Sequence, residues 1–322
     1  MSLSSFIKQI YNEHIKIYVR KPTWVMYFIL LALVIGIAAV TQTTDLTNNH
    51  ENWEQALEEE NQQSQEVIQN LREADFNNEL SIQMNEQAIE RNNYRLENEI
   101  PPNEYGAWSF VEDNVFLLSL VSLFTIIVAA GIIANEFKWG TIKLLLIRPL
   151  TRTKILITKY ISVLLFALWT LVFVWVTSLI VGMAFFGFEG FTATTVVNRP
   201  DGVQEVTLFS EVMKTYGFRL INLVMMATFA FMISAVFRQS SLAIGLAIFL
   251  MFTGNTIVEF FADRDWAKYI LFANTDLQQF STGNIMFEGM TLGFSITMLM
   301  VYFVLFLTLA WTFFTKRDVA GE

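Results

Sequence analysis

Cysteine is absent from the 322 residues, which excludes disulfides, thiolate-bound zinc, iron–sulfur clusters and thiol catalysis. Histidine is nearly absent, and His14 and His50 are too few and too far apart in the chain to suggest a metal site. Charge is scarce as well: Asp, Glu, Lys and Arg make up 16%, against about 25% in an ordinary soluble domain. The balance of 21 basic against 30 acidic residues, net −9, argues against a nucleic-acid partner. No G-x-x-x-x-G-K-[ST] occurs, so this chain has no P-loop to cradle ATP. A soluble enzyme is a poor fit to these absences.

What is abundant is apolar sequence, 54% hydrophobic and 15% aromatic, and it is gathered into runs. Six windows carry no charged residue: Lys21 to Asp45 (23 residues between), Asp113 to Glu136 (22), Lys159 to Glu189 (29), Arg219 to Arg238 (18), Arg238 to Glu259 (20) and Glu288 to Lys316 (27). A bilayer core of about 30 Å needs roughly 20 apolar residues in a helix, and a charge at its centre costs about 2.5–3.5 kcal/mol. The windows therefore predict an all-α polytopic membrane protein with six transmembrane helices, at 23–44, 113–135, 153–188, 219–237, 239–258 and 289–315. The apolar core of the first, Trp24 to Val40, is longer than the usual 7–15 residues of a signal peptide, so it reads as an uncleaved anchor.

Six spans put both termini on one side. That side carries 13 Lys and Arg residues, concentrated in 1–22 and 135–159, and the other carries eight in longer loops. The positive-inside rule then places the termini in the cytoplasm, with 316–322 as a short tail. Residues 3–20 space Phe6, Ile7, Ile10, Tyr11, Ile15, Ile17 and Tyr18 among lysines, as a basic amphipathic helix lying in the interface does. Pro22 follows as the chain turns into the membrane.

Three outer loops remain. The first, about 45–112, is acidic: 42–112 holds 16 acidic and three basic residues. Apolar residues at Trp53, Leu57, Val67, Ile68 and Leu71, with Ser64 as a weak member, then Ile82, Ile89 and Leu96, predict two amphipathic helices. A break at Asp75-Phe76-Asn77-Asn78 folds them into an antiparallel hairpin, and Pro101-Pro102 closes it. Its acidity suits either a solvated spacer or the steering of cationic ligands. The second loop, 189–218, contains the turn signal Asn198-Arg199-Pro200-Asp201-Gly202. The third, 259–288, interleaves Phe260, Phe261, Trp266, Tyr269, Ile270 and Phe272 with charges, which predicts short helices at headgroup depth.

Segment 136–152 lies between the second and third spans. Trp139, Ile142, Leu145 and Leu146 fall on one helical face, Lys138 and Lys143 flank it, Pro149 ends it, and Thr151 or Thr153 is placed to cap the third span. Arg148 and Arg152 are expected to face the cytoplasm. Glu136, Gly140-Thr141, Leu144-Leu145, Arg148-Pro149, Thr151-Arg152 and Lys159 resemble the pattern of ABC-2-type transporter permeases, and Trp266, Lys268-Tyr269 and Asn274-Thr275-Asp276-Leu277 resemble that family's segment before its last span. The acidic hairpin departs from the common pattern.

The resemblance implies a coupling helix that docks in a groove of a separate ATP-binding subunit. Two permease chains, identical or paralogous, would assemble with two ATPases that bind ATP and Mg, and this chain would need no cofactor of its own. Glu136, Gly140, Thr141, Arg148, Pro149, Arg152 and Lys159 would then be the coupling residues.

No window contains a full charge, which disfavours proton- or sodium-coupled transport. The polar groups within the spans include Thr170, Thr177 and Ser178, with Asn222, Thr253 and Asn255 as candidates for a substrate path. Gly254 permits close approach beside Asn255, Met225, Met226, Met232 and Met251 suit an adaptable apolar path, and Ser241/Gly245 and Ala243/Ala247 provide small residues for helix packing.

The expected function is the membrane subunit of an exporter of amphiphilic or hydrophobic compounds in a plasma membrane. The alternative from another class is a membrane sensor or scaffold whose acidic ectodomain binds a ligand and signals to a cytoplasmic partner.

Overall fold

The computed structural model describes residues 3–43, 52–73, 79–102, 104–141 and 151–316. Six helices among them are long and apolar enough to cross a membrane. Helix α1 (Leu3–Tyr18) precedes the first long helix, α2 (Lys21–Thr43). The acidic segment holds α3 (Trp53–Glu73) and α4 (Glu79–Glu97). A short α5 (Ala107–Asp113) leads through a 3₁₀ turn into α6 (Leu118–Lys138), and α7 spans Arg152–Phe186. Then come strands β1 (Thr194–Arg199) and β2 (Gly202–Thr207), α8 (Leu208–Phe237) and α9 (Ser240–Phe260). After a 3₁₀ turn at Asp265–Tyr269, α10 (Leu271–Thr275) and α11 (Gln279–Thr282) lead to the last long helix, α12 (Leu292–Lys316).

Helices α6 and α8 form the centre. Of their most apolar stretches 61% is buried, against 22% for α9 and 17% for α12. The reason lies in side-chain size: Ala129, Ala130 and Ala134 of α6 meet Ala227 and Ala230 of α8, all fully buried, so the two backbones approach closely. Ser234 fastens the seam, its Oγ donating to Ala130 O (2.6 Å) and accepting from Ala134 N (3.2 Å). Helix α9 lies against α6 and α8, α12 against α8 and α7, and α2 against α7. Ala243 and Ala247 are buried, whereas Ser241 and Gly245 face outward, so only one of the two small-residue pairs packs within this chain. Thr170 joins Tyr27 and Tyr18 in a hydroxyl chain with both links at 2.9 Å.

The acidic segment forms two packed helices. Asn61 Nδ2 donates to Asn93 Oδ1 (2.9 Å) and Arg72 pairs with Glu86 (2.9 Å), which makes them antiparallel. Their seam is Leu57, Asn61, Ser64 and Ile68, so Val67 stands outside it. The break expected at 75–78 lies outside the described residues. Helix α4 rests on the strand hairpin: Arg91 donates to Asn198 Oδ1 (2.8 Å), and Asn198 Nδ2 donates to Glu90 (3.0 Å).

The described residues are mainly helical, as expected of an all-α membrane protein, and two details differ. The loop expected to hold a turn forms a β-hairpin at 194–207, paired from Thr194–Thr207 to Arg199–Gly202. The Pro200-Asp201 turn, with Gly202 at φ +111°, and the β-branched residues Thr194 to Val197, Val203, Val206 and Thr207 provide its local cause. The fourth long helix begins at Leu208 and not at 219. The charges that seemed to end the span are accommodated: Glu211 is buried against Arg199. The third segment does form short helices, as its aromatics predicted.

Candidate functional site

Two places gather chemistry-bearing residues, one at each end of the bundle. The first lies where α1, the end of α6 and the start of α7 meet. Lys159, near the start of α7, is 1% exposed and sits between two carboxylates, Glu136 Oε1 at 2.8 Å and Glu13 Oε2 at 2.7 Å. Lys16 reaches the other Glu13 oxygen at 2.5 Å and Glu136 at 4.0 Å. Thr141 donates its hydroxyl to Glu136. Each acceptor is thereby matched to a donor, which is the condition for a buried charge to be tolerated. Burial pushes the Glu13 carboxyl upward, but the Lys159 ammonium beside it, followed by Lys16, holds it below the ordinary carboxylate value.

Local sequence explains the geometry. Gly140 takes φ +70°, a left-handed conformation that ends α6 after Trp139 and favours glycine. Thr151 caps α7, its Oγ1 accepting from Lys154 N at 3.4 Å. Helix α1 is held on α7 by Ile17, which is buried, and by Ser162 Oγ donating to Ile10 O (3.2 Å).

Of the residues expected to couple to a partner, Glu136, Thr141 and Lys159 come together here. Arg152 does not project freely as expected: its guanidinium donates to Thr315 O (3.0 Å) at the C-terminal end of α12, where a cation complements the helix dipole. Arg148 and Pro149 lie outside the described residues, as do Ile142, Lys143, Leu144, Leu145 and Leu146. Two further cations stack on aromatic rings at this end, Arg20 over Trp139 at 5.3 Å and Arg238 over Phe137 at 4.3 Å.

Sequence reasoning missed Glu13. Its signal was present: it is the single acidic residue of 1–22 and lies between Ile10 and Ile17 on the helix face that packs inward.

The second place is a cavity of about 170 Å³ walled by α6, α8, α9 and α10. Asn222 and Asn255 both line it, with Met226 and Met251. Thr253 does not, and its hydroxyl donates instead to Phe249 O within its own helix (2.7 Å). Asn222 Nδ2 reaches Thr275 O at 3.4 Å. A Cβ on Gly254 would collide with the Phe272 ring, so the glycine admits the aromatic that forms part of the wall. Arg219 and Asp276, which also line the cavity, were not anticipated as members of one site.

Residues 74–320 match the family described as "Protein of unknown function (DUF2705)". The chain belongs to this family. It is 43% identical over 317 residues to a Bacillus subtilis (strain 168) protein called "Uncharacterized protein YhcI", covering 97% of this chain and 99% of that one. It is also 32% identical over 203 residues to "Uncharacterized membrane protein YdbK" of the same organism, across 62% of this chain and 78% of that one. Six long apolar helices and a relative named as a membrane protein make this DUF2705 chain a multi-pass membrane protein. The matched region starts after α3 and so takes in Glu136, Lys159 and the cavity but not Glu13.

Proposed function

We propose that the chain is the membrane-spanning permease subunit of an ATP-driven exporter of amphiphilic compounds, with ATP and Mg bound by a separate ATPase chain. Both termini lie in the cytoplasm, the membrane is the plasma membrane, and two permease chains, identical or paralogous, work with two ATPases.

The observation that supports this reading most is the Glu13–Lys159–Glu136 cluster. It closes the base of the segment between α6 and α7, the place where the residue pattern resembles a coupling helix. A force applied at 139–151 meets a rigid mount: Lys159 links α7 to α6 and α1, and Arg152 links α7 to the end of α12. Such a mount converts a push into a tilt of several long helices, a rigid-body transition between discrete packings. The cations clustered at this end agree with a cytoplasmic placement.

The test is purification of the tagged chain from native membranes in mild detergent, with ATP hydrolysis measured on the eluate. An ATPase is expected to co-elute at near-equal stoichiometry, and Arg148→Glu is expected to release it while the permease stays folded. A folded chain that elutes alone and without hydrolysis would overturn this reading and favour the sensor or scaffold.

A further inference from the structure

The cavity contains two opposite charges that do not neutralise each other. Arg219 and Asp276 both line it, yet among the described residues neither makes an ion pair. Among the described residues, the Asp276 carboxylate accepts from the Gln278 backbone N–H of its own turn (3.2 Å) and from no other group. Within a spanning bundle an ionisable group without a protein partner faces water or a ligand.

Depth narrows the ligand. Arg219 precedes the end of α8 at Phe237 by 18 residues, about 27 Å of helix, nearly the full thickness of a hydrocarbon core. With the α8–α9 link at one boundary, Arg219 stands at headgroup level of the opposite leaflet. Asn222 lies one turn deeper and Met226 another, so the cavity grades from charged to amide to apolar toward the bilayer centre.

The mouth is lateral. Ser119, Phe252 and Asn255 are exposed at its rim. From there Phe252, Phe249, Leu246 and Leu242 form an exposed apolar strip along α9, leading toward the opposite boundary. The cavity is small, about 170 Å³, and open at this rim, so a polar end can sit in it while the rest of an amphiphile lies outside.

We propose that this cavity binds the zwitterionic headgroup of a membrane amphiphile, a phosphate on Arg219 and an ammonium on Asp276, with the acyl chains lying along α9. The carboxamides of Asn222 and Asn255 supply donors and acceptors to the groups between the two charges. A guanidinium fork suits phosphate, and the carboxylate opposite it penalises headgroups that carry only negative charge. Regarding that amphiphile as cargo rests on the permease reading; its binding does not.

The experiment is native mass spectrometry of the purified chain offered equimolar phosphatidylethanolamine and phosphatidylglycerol, without ATP or any partner. Wild type is expected to retain phosphatidylethanolamine at least fivefold over phosphatidylglycerol. Asp276→Asn is expected to erase that preference, Arg219→Met to lower retention of both about tenfold, and Arg219→Lys to restore part of it. Melting temperatures establish that each variant is folded, and wild-type selectivity decides if one is not. Equal retention of the two lipids by wild type, or an unchanged preference in folded Asp276→Asn, would overturn the proposal. Soluble glycerophosphoethanolamine is expected to compete only in large excess; competition at lipid-like concentrations would assign the site to a free solute and overturn its membrane part. Selective binding by a chain that recruits no ATPase would leave the site standing and remove the exporter reading alone.

Discussion

Two sites at opposite ends of the bundle treat charge in opposite ways. Where the termini lie, Lys159 is more deeply buried than most aliphatic residues and is enclosed by Glu13 and Glu136 with Lys16 and Thr141 behind them. At the other end, Arg219 and Asp276 border a space and leave each other unpaired. A closed network of this kind has no valence left for a ligand, so its work is mechanical: it fixes three chain segments to one another. An open pair has unspent valence, so its work is recognition. The same residue types therefore carry different meanings according to whether their partners are already inside the protein.

The contrast is sharpest in stability. Lys159→Met is expected to leave two buried carboxylates with only the half-exposed Lys16 beside them, a loss of about 3 kcal/mol. A fall in midpoint by denaturant titration in detergent checks it, and a loss below about 1 kcal/mol would mean that the cluster is wetter than its geometry implies.

A smaller effect is expected for Glu13→Gln, about 1–3 kcal/mol, confined to the attachment of α1. Its carboxyl has a lower pKa folded than unfolded. Its contribution is therefore complete above the unfolded value and disappears as pH falls through the folded one. Acid below the ordinary carboxylate range should release α1 in wild type, read as faster proteolysis near Tyr18. The Glu13→Gln variant should be cleaved readily at all pH values. Equal protection of the two proteins at neutral pH would show that α1 is held by Ile17 and its apolar neighbours alone.

Arg219→Met is expected to change stability least, by within about 0.5 kcal/mol, because no protein partner is orphaned when the guanidinium is removed. A loss as large as that of Lys159→Met would break the comparison by showing that Arg219 is structural.

The spans were legible because a charge-free apolar run long enough to cross a bilayer rarely occurs in a helix that does not cross one. Charge spacing marks where a charge-free run ends, at Lys214 and Arg219, but not where the helix α8 that carries it begins. The helix continues through them for 11 further residues to Leu208, since Glu211 is paired with Arg199 and Arg219 opens onto a cavity. A charge count registers the presence of a charge but not its surroundings. The β-hairpin was half-visible, its turn plain in the sequence and its β-branched stretch Thr194 to Val197 too short a run to stand out. At the closed cluster, Glu136 and Lys159 came from the resemblance to a known pattern, whereas Glu13 belongs to no part of that pattern. The pairing of α1 with α7 is a tertiary fact with no local signature beyond a lone acid among lysines. Asn222 and Asn255 were identified singly from polarity, and only the packing of α8 against α9 and α10 placed them in one cavity while turning Thr253 back on its own helix.

The ion pair between Glu13 and Lys159 joins residues 146 apart in the chain. At synthesis rates of about 5–20 residues per second, Glu13 leaves the ribosome on the order of 7–30 seconds before its cation does. Two long apolar helices and the first two turns of a third must be made before the partner exists. Throughout that interval α1 has its amphipathic surface and its lysines but no protein seat. The N-terminal helix is thus the first element made and one of the later ones to be placed, so a failure to insert α7 correctly would be registered at the opposite end of the nascent chain.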